Sequence, residues 1–76
     1  MRDEVREIIA KAARVEAVLD DDEDLLMSGQ LDSMSAMKAI AMLERTFSLT
    51  VPASDVTYDN FRSINAIATY LDGLRP

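Results

Sequence analysis

Three stretches of the chain repeat apolar residues at the spacing of one face of an α-helix, and no stretch alternates with period two over a useful length. Val5, Ile8, Ile9 and Ala12 follow i, i+3, i+4, i+7, with Asp3 ahead of them as a candidate N-cap. Ala36, Ile40, Leu43 and Phe47 make a second stripe, which starts after Asp32 or Ser33, both good caps, and ends before Pro52. Ile64, Ile67, Ala68 and Leu71 make the third, capped by Ser63 and closed by Gly73. Between the second and third stripes, Val51-Pro52-Ala53-Ser54-Asp55 reads as a turn and a fresh cap, so a short helical turn is expected over Asp55 to Asn60. The expected fold is therefore all-α, a small bundle of three main helices plus a short additional helix, with a long loop between helices one and two. In that loop Val15, Val18 and Leu19 either extend the first stripe or begin the connection, and Leu25, Leu26 and Leu31 pin the connection onto the core.

At 76 residues, 1–76 is expected to form a single domain. The chain contains neither Cys nor His, which removes disulfides, thiolate nucleophiles, Cys/His zinc sites and any Ser-His-Asp triad, so no enzyme activity is expected. The longest uncharged runs, Thr46 to Ser54 and Ser63 to Leu71, are far short of the roughly 18 residues a membrane span needs. Met1-Arg2-Asp3-Glu4 is charged and lacks a following apolar core, so no secretory signal is read and a cytoplasmic monomer is expected.

The net charge of −6 argues against a nucleic-acid backbone as partner. Acids and bases balance on either side of the segment from Asp20 to Asp32, so the whole excess lies in Asp20, Asp21, Asp22, Glu23, Asp24 and Asp32. A calcium loop of EF-hand type starting at Asp20 would put Leu25 where the turn needs Gly and Leu31 where a bidentate Glu belongs, so no metal site is expected. A solvated loop, or a patch that steers a basic partner face, remains.

Gly29-Gln30-Leu31-Asp32-Ser33-Met34 sets a serine hydroxyl at the mouth of the second helix, directly after this acidic loop. Asp-Ser before an amphipathic run is by itself only a cap, and an acidic, non-enzymatic interaction module in which Ser33 merely caps the helix is one reading. The larger pattern, however, resembles the acyl carrier protein family. Leu31-Asp32-Ser33-Met34 is similar to the family's attachment motif, and Leu25, Gly29 and Leu31 to its loop. Glu44, Phe47, Val51 and Pro52 are similar to the end of its second helix, and Phe61, Ser63, Ile64, Ile67, Ala68, Tyr70 and Leu71 to its last helix.

The resemblance implies that a phosphopantetheinyl transferase moves 4'-phosphopantetheine from coenzyme A onto Ser33, which supplies the thiol that a Cys-free chain lacks and makes an internal base unnecessary. For Asp32 it implies transferase recognition beside the structural role of capping. The motif details resemble discrete D-alanyl and other aminoacyl carriers, loaded by an acyl or aminoacyl ligase and discharged by downstream acyl-accepting enzymes. Fatty-acid or polyketide service is the alternative, but there the second helix typically carries further acids, whereas here Glu44 is the only acid between Ser33 and Phe47, and Lys38 and Arg45 are present. On that helix Met34, Met37 and Ala41 form a second stripe bordered by Lys38 and Arg45, which is expected to face solvent and contact partners.

Overall fold

The computed structural model describes residues 1–16 and 18–74, and its regular elements are all helical. Helix α1 spans Arg2–Ala13, α2 Ser33–Phe47, α3 Tyr58–Phe61 and α4 Ile64–Leu74, with a 3-10 turn at Ala53–Asp55. Helix α1 packs on α2 and α4, and α3 packs on α4. Among the described residues no helix is long and apolar enough to cross a membrane.

The three stripes form the core. Val5, Ile8, Ile9 and Ala12 of α1, Ile40 and Leu43 of α2, and Ile64, Ile67, Ala68 and Leu71 of α4 are all buried. On α2 the buried face is rotated slightly from the expected one: Ala39 joins it, while Ala36 and Phe47 are half-buried against its edge. Phe61 adds a buried ring, tilted 55° to Tyr70 at a centroid distance of 5.5 Å. The Tyr70 hydroxyl donates to Asp55 Oδ2 at 2.6 Å; burial first and this bond second push its pKa up to about 12.

The helix ends depart from expectation. Asp3 is not a cap but lies in the first turn of α1, where it and Glu4 complement the helix dipole; the N-cap is Met1. Helix α1 stops at Arg14, which takes a left-handed conformation with φ 57°. Beyond it Val15 is half-buried, Val18 is 87% exposed and only Leu19 returns to the core, so the apolar pattern does not prolong the helix. Helix α2 ends the same way at Ser48, φ 54°. The short helix α3 is capped by Thr57, whose Oγ1 accepts from Asn60 N–H at 3.3 Å, while Asp55 closes the preceding 3-10 turn. Ser63 caps α4 as expected, its Oγ accepting from Ala66 N–H at 3.0 Å, but Gly73 lies within α4, which continues to Leu74.

The segment after α2 has its own tie. Glu44 Oε2 accepts from the buried Val51 N–H at 2.9 Å and Glu44 O accepts from Leu49 N–H at 3.1 Å, so the chain leaving Phe47 is folded back on the helix. This gives the Glu-x-x-Phe-x-x-x-Val-Pro pattern a physical basis: a carboxylate, a half-buried ring and a buried Val at the same corner.

Leu25 links the long loop to this core. Its side chain is fully buried and its N–H donates to Arg62 O at 2.7 Å. Leu25→Ala is expected to lower unfolding free energy by about 2–5 kcal/mol in urea melts, as a large-to-small change in a packed core does. Val18→Ala, at an exposed position of the same loop, should change it by no more than about 0.5 kcal/mol.

Candidate functional site

The loop before α2 is built of acidic residues in structural contacts. Arg6 spans from α1 to the loop: its Nε donates to Leu19 O at 3.0 Å, and its guanidinium pairs with Asp3 and Asp21. Asn65 of α4 donates through its backbone to Asp21 O at 2.9 Å and through Nδ2 to Asp22 Oδ1 at 2.6 Å. The Tyr58 hydroxyl donates to Asp24 Oδ2, and Asp24 Oδ1 accepts from Leu26 N–H at 3.2 Å and Met27 N–H at 2.9 Å. Asp22 and Asp24, the pair that a calcium register would use, are thus bonded to protein groups. The acidic run is more than a solvated loop, because three of its carboxylates hold the loop to α1, α3 and α4.

From Leu25 the chain makes a tight circuit. Gly29, at φ 81°, supplies the left-handed residue that the turn requires, and Leu31 N–H returns to Leu25 O at 3.0 Å. Leu31 is buried beside Leu25 in the core, so the next residue, Asp32, is delivered to the start of α2 in a fixed orientation.

There the cap is a reciprocal box. Asp32 Oδ1 accepts from Ser35 N–H at 2.8 Å, and Ser35 Oγ accepts from Asp32 N–H at 2.9 Å. The Ser35 hydroxyl also lies 2.8 Å from Asp32 Oδ1, where it donates. The Ser35 amide bond first, and its hydroxyl second, hold the Asp32 carboxyl below the ordinary carboxylate range.

Capping is therefore done by Asp32 and Ser35. Ser33 is the first residue of α2, exposed, and its hydroxyl has no hydrogen-bond partner among the described residues. The sequence left Asp32 and Ser33 as equal candidates for the cap; the structure gives the role to Asp32 and leaves Ser33 free for chemistry. The contribution of Ser35 was missed, since the usual box partner three residues on is Glu or Gln.

Next to Ser33 an apolar strip faces outward. Met34 is 83% and Met37 65% exposed, and Ala41, Lys38 and Arg45 are exposed as well, whereas Met42 packs partly against the core. The site contains an exposed hydroxyl at a helix N-terminus, where the dipole favours an anion, and an exposed apolar strip beside it. Those features fit a covalently attached anionic group.

The Asp32 and Asp24 carboxyls supply a pH signature. The Tyr58 hydroxyl bond first, and the Met27 amide next, lower the Asp24 pKa, so both groups titrate below the ordinary aspartate range. The stability they provide is complete above the unfolded pKa and is lost as pH falls through the lower folded values. Urea midpoints should therefore drop below about pH 4, and the drop should shrink in Asp32→Asn and Asp24→Asn; an unchanged acid limb in both variants would show that neither contact holds in solution.

Comparison with known proteins points the same way. A family described as "Phosphopantetheine attachment site" matches residues 3–71. The D-alanyl carrier protein of Streptococcus mutans serotype c is 41% identical over 54 residues, which cover 71% of this chain and 68% of that protein. The D-alanyl carrier protein of Streptococcus suis strain 98HAH33 is 44% identical over 46 residues, covering 60% of this chain and 58% of that protein. That of Streptococcus sanguinis strain SK36 is 39% identical over 54 residues, with coverages of 71% and 68%.

Proposed function

The chain belongs to the phosphopantetheine attachment-site family, and we propose that Ser33 is the residue to which that group is joined and that the cargo is D-alanine or another small aminoacyl group. The observation that carries the assignment is the division of roles at the start of α2: Asp32 and Ser35 satisfy the helix end, and the Ser33 hydroxyl is exposed and unengaged. The D-alanyl carriers among its relatives support the cargo.

Bound there, the group supplies a terminal thiol on a flexible arm, to which a carboxylic acid is joined as a thioester. This chain's part is to present, orient and hold. Ser33 Oγ forms the new bond to the phosphorus of the phosphopantetheine as the pyrophosphate P–O bond of coenzyme A breaks and adenosine 3',5'-bisphosphate leaves, and it gives its proton to a base of a phosphopantetheinyl transferase, since the chain has no His. Asp32, kept ionised by Ser35, fixes the first turn so that Ser33 stays outside the core, and offers its free carboxylate edge to the transferase. The negative charge left on the attached phosphate is favoured by the N-terminal end of the α2 dipole.

Met34, Met37, Lys38 and Ala41 form the contact surface for the transferase, an aminoacyl ligase and the enzymes that accept the cargo. Unbranched, polarizable Met side chains adapt to several partner surfaces in turn, and their exposure beside Ser33 supports this use. The acidic loop adds long-range attraction to basic partner faces. On this reading the chain works as a cytoplasmic monomer and catalyses no reaction itself.

Intact mass spectrometry tests the attachment. After incubation with coenzyme A and a promiscuous transferase, the protein should gain the mass of one phosphopantetheine, and Ser33→Ala should gain none while keeping its unfolding free energy within about 0.5 kcal/mol, as an uncapping-neutral surface change. Modification of that variant would move the site elsewhere. Offering ATP, a D-alanine ligase and a panel of amino and fatty acids to the modified protein then reads the cargo.

Met34→Ala separates docking from packing. Its stability should change by no more than about 0.5 kcal/mol, yet loading by transferase or ligase should slow. A loss of about 2–5 kcal/mol would instead mean a core residue, and unchanged loading kinetics would remove Met34 from the contact surface.

A further inference from the structure

The chain has no Cys, so the thioethers of its five methionines are its only sulfurs. They fall into two groups. Met1 and Met42 are half-buried against the core, whereas Met27 is 78% exposed and Met34 and Met37 stand open on the outer face of α2. A thioether is oxidised without first losing a proton, as a thiol must, so exposure decides which of these sulfurs a small oxidant reaches. Two of the three open sulfurs lie beside Ser33. Met34 follows it directly in the first turn of α2, and Met37 stands three residues further on, one turn up the same face.

Met34, Met37 and Ala41 carry no charge, so what this strip gives a partner is apolar contact. A sulfoxide in place of a thioether sets a polar, chiral S–O group into that contact. Net charge stays as it was, and so does the core, because Met42, on the same helix, is the sulfur that packs inward.

Resting on the reading of this strip as the contact surface beside the attachment serine, we propose that Met34 and Met37 are sites of reversible oxidation by a hydroperoxide, and that oxidation weakens the docking of partner enzymes. In the step a lone pair of the thioether sulfur attacks one oxygen of hydrogen peroxide. The S–O bond forms as the O–O bond breaks, the sulfur gives up two electrons, and the other oxygen leaves as water with both peroxide protons. A methionine sulfoxide reductase reverses the change, taking two electrons and two protons from a dithiol, which becomes a disulfide, and releasing the oxygen as water. Because the acidic loop is untouched, encounter keeps its salt dependence while the docked complex weakens.

The test uses the protein before phosphopantetheine is attached, so that no arm thiol competes for the oxidant. After dilute hydrogen peroxide, and catalase to remove the excess, peptide mass mapping should find one added oxygen on Met27, Met34 and Met37 ahead of Met1 and Met42. The transferase should then load the oxidised protein with kcat/KM lowered at least about fourfold, the worth of one buried CH2 group, through KM for the carrier and with an unchanged slope against ionic strength. Methionine sulfoxide reductases with a dithiol should restore it. Two variants place the effect: Met27→Leu should keep the full peroxide response, and in Met34→Leu with Met37→Leu, whatever its own rate, peroxide should change nothing. A response that survives in that double variant, oxygen on Met42 as early as on Met34, or a urea midpoint lowered by oxidation would overturn the proposal. Slower loading of Met34→Ala with no response of the wild type to peroxide would overturn the oxidation sites and leave the contact surface standing, whereas no effect of either would remove both. No mass gain from coenzyme A in the untreated protein would overturn the attachment and this proposal together.

Discussion

The structure depends on burying Leu25 in the middle of a polar, acidic connection. A loop as long as the one from Arg14 to Asp32 costs ordering entropy and carries backbone groups that need partners. Leu19, Leu25 and Leu31 supply the burial that offsets this, and Leu25 adds a backbone bond to Arg62, between α3 and α4. Because Leu31 is bonded back to Leu25, fixing Leu25 also fixes where Asp32 arrives. The position of Ser33 therefore depends on a leucine eight places earlier in the sequence as much as on its own helix.

At the start of α2 the Ser33 hydroxyl stays idle in the folded state. A serine in the cap position would spend its oxygen on the backbone amide of the first turn. Asp32 takes that amide instead, and Ser35 takes the Asp32 N–H in return, so both orphan donors are met without Ser33. A carboxylate is the stronger acceptor of the two candidates, and it gains from the dipole that the same helix end presents. The neighbouring residues thus leave the Ser33 hydroxyl exposed and without a structural task.

Much of this was legible before any coordinates. The core faces of α1, α2 and α4 followed from helical spacing, because burial of one face per helix is what that spacing encodes, and the exposed serine at the mouth of α2 stood out from its motif. Helix ends were read less well. Glycine is the usual mark of a helix end, but α1 and α2 close with the left-handed residues Arg14 and Ser48, and Gly73 sits inside α4. Val15 and Val18 continue an apolar pattern past a helix that has already stopped, and tertiary packing uses Leu19 instead. The short helix starts at Tyr58 with Thr57 as its cap, and not at Asp55, whose carboxylate accepts from Tyr70 in α4.

Charge and apolar surface divide the work of partner encounter. Exposed acids act over roughly a Debye length, about 8 Å at physiological salt, and so set how often a basic face arrives and not how long it stays. Part of that field is already committed: Asp21 is paired with Arg6, while Asp22 and Asp24 keep their charge but accept from the neutral Asn65 and Tyr58. Neutral donors hold the loop without cancelling its charge, which lets the same carboxylates order the loop and project a field. On the proposed docking role of Met34, Met37 and Ala41, residence falls to this short-range strip, a small surface with no charge of its own. A carrier that must leave each enzyme after one transfer is better served by such a modest, adaptable contact than by a desolvated ion pair, whose loss on dissociation would be slow.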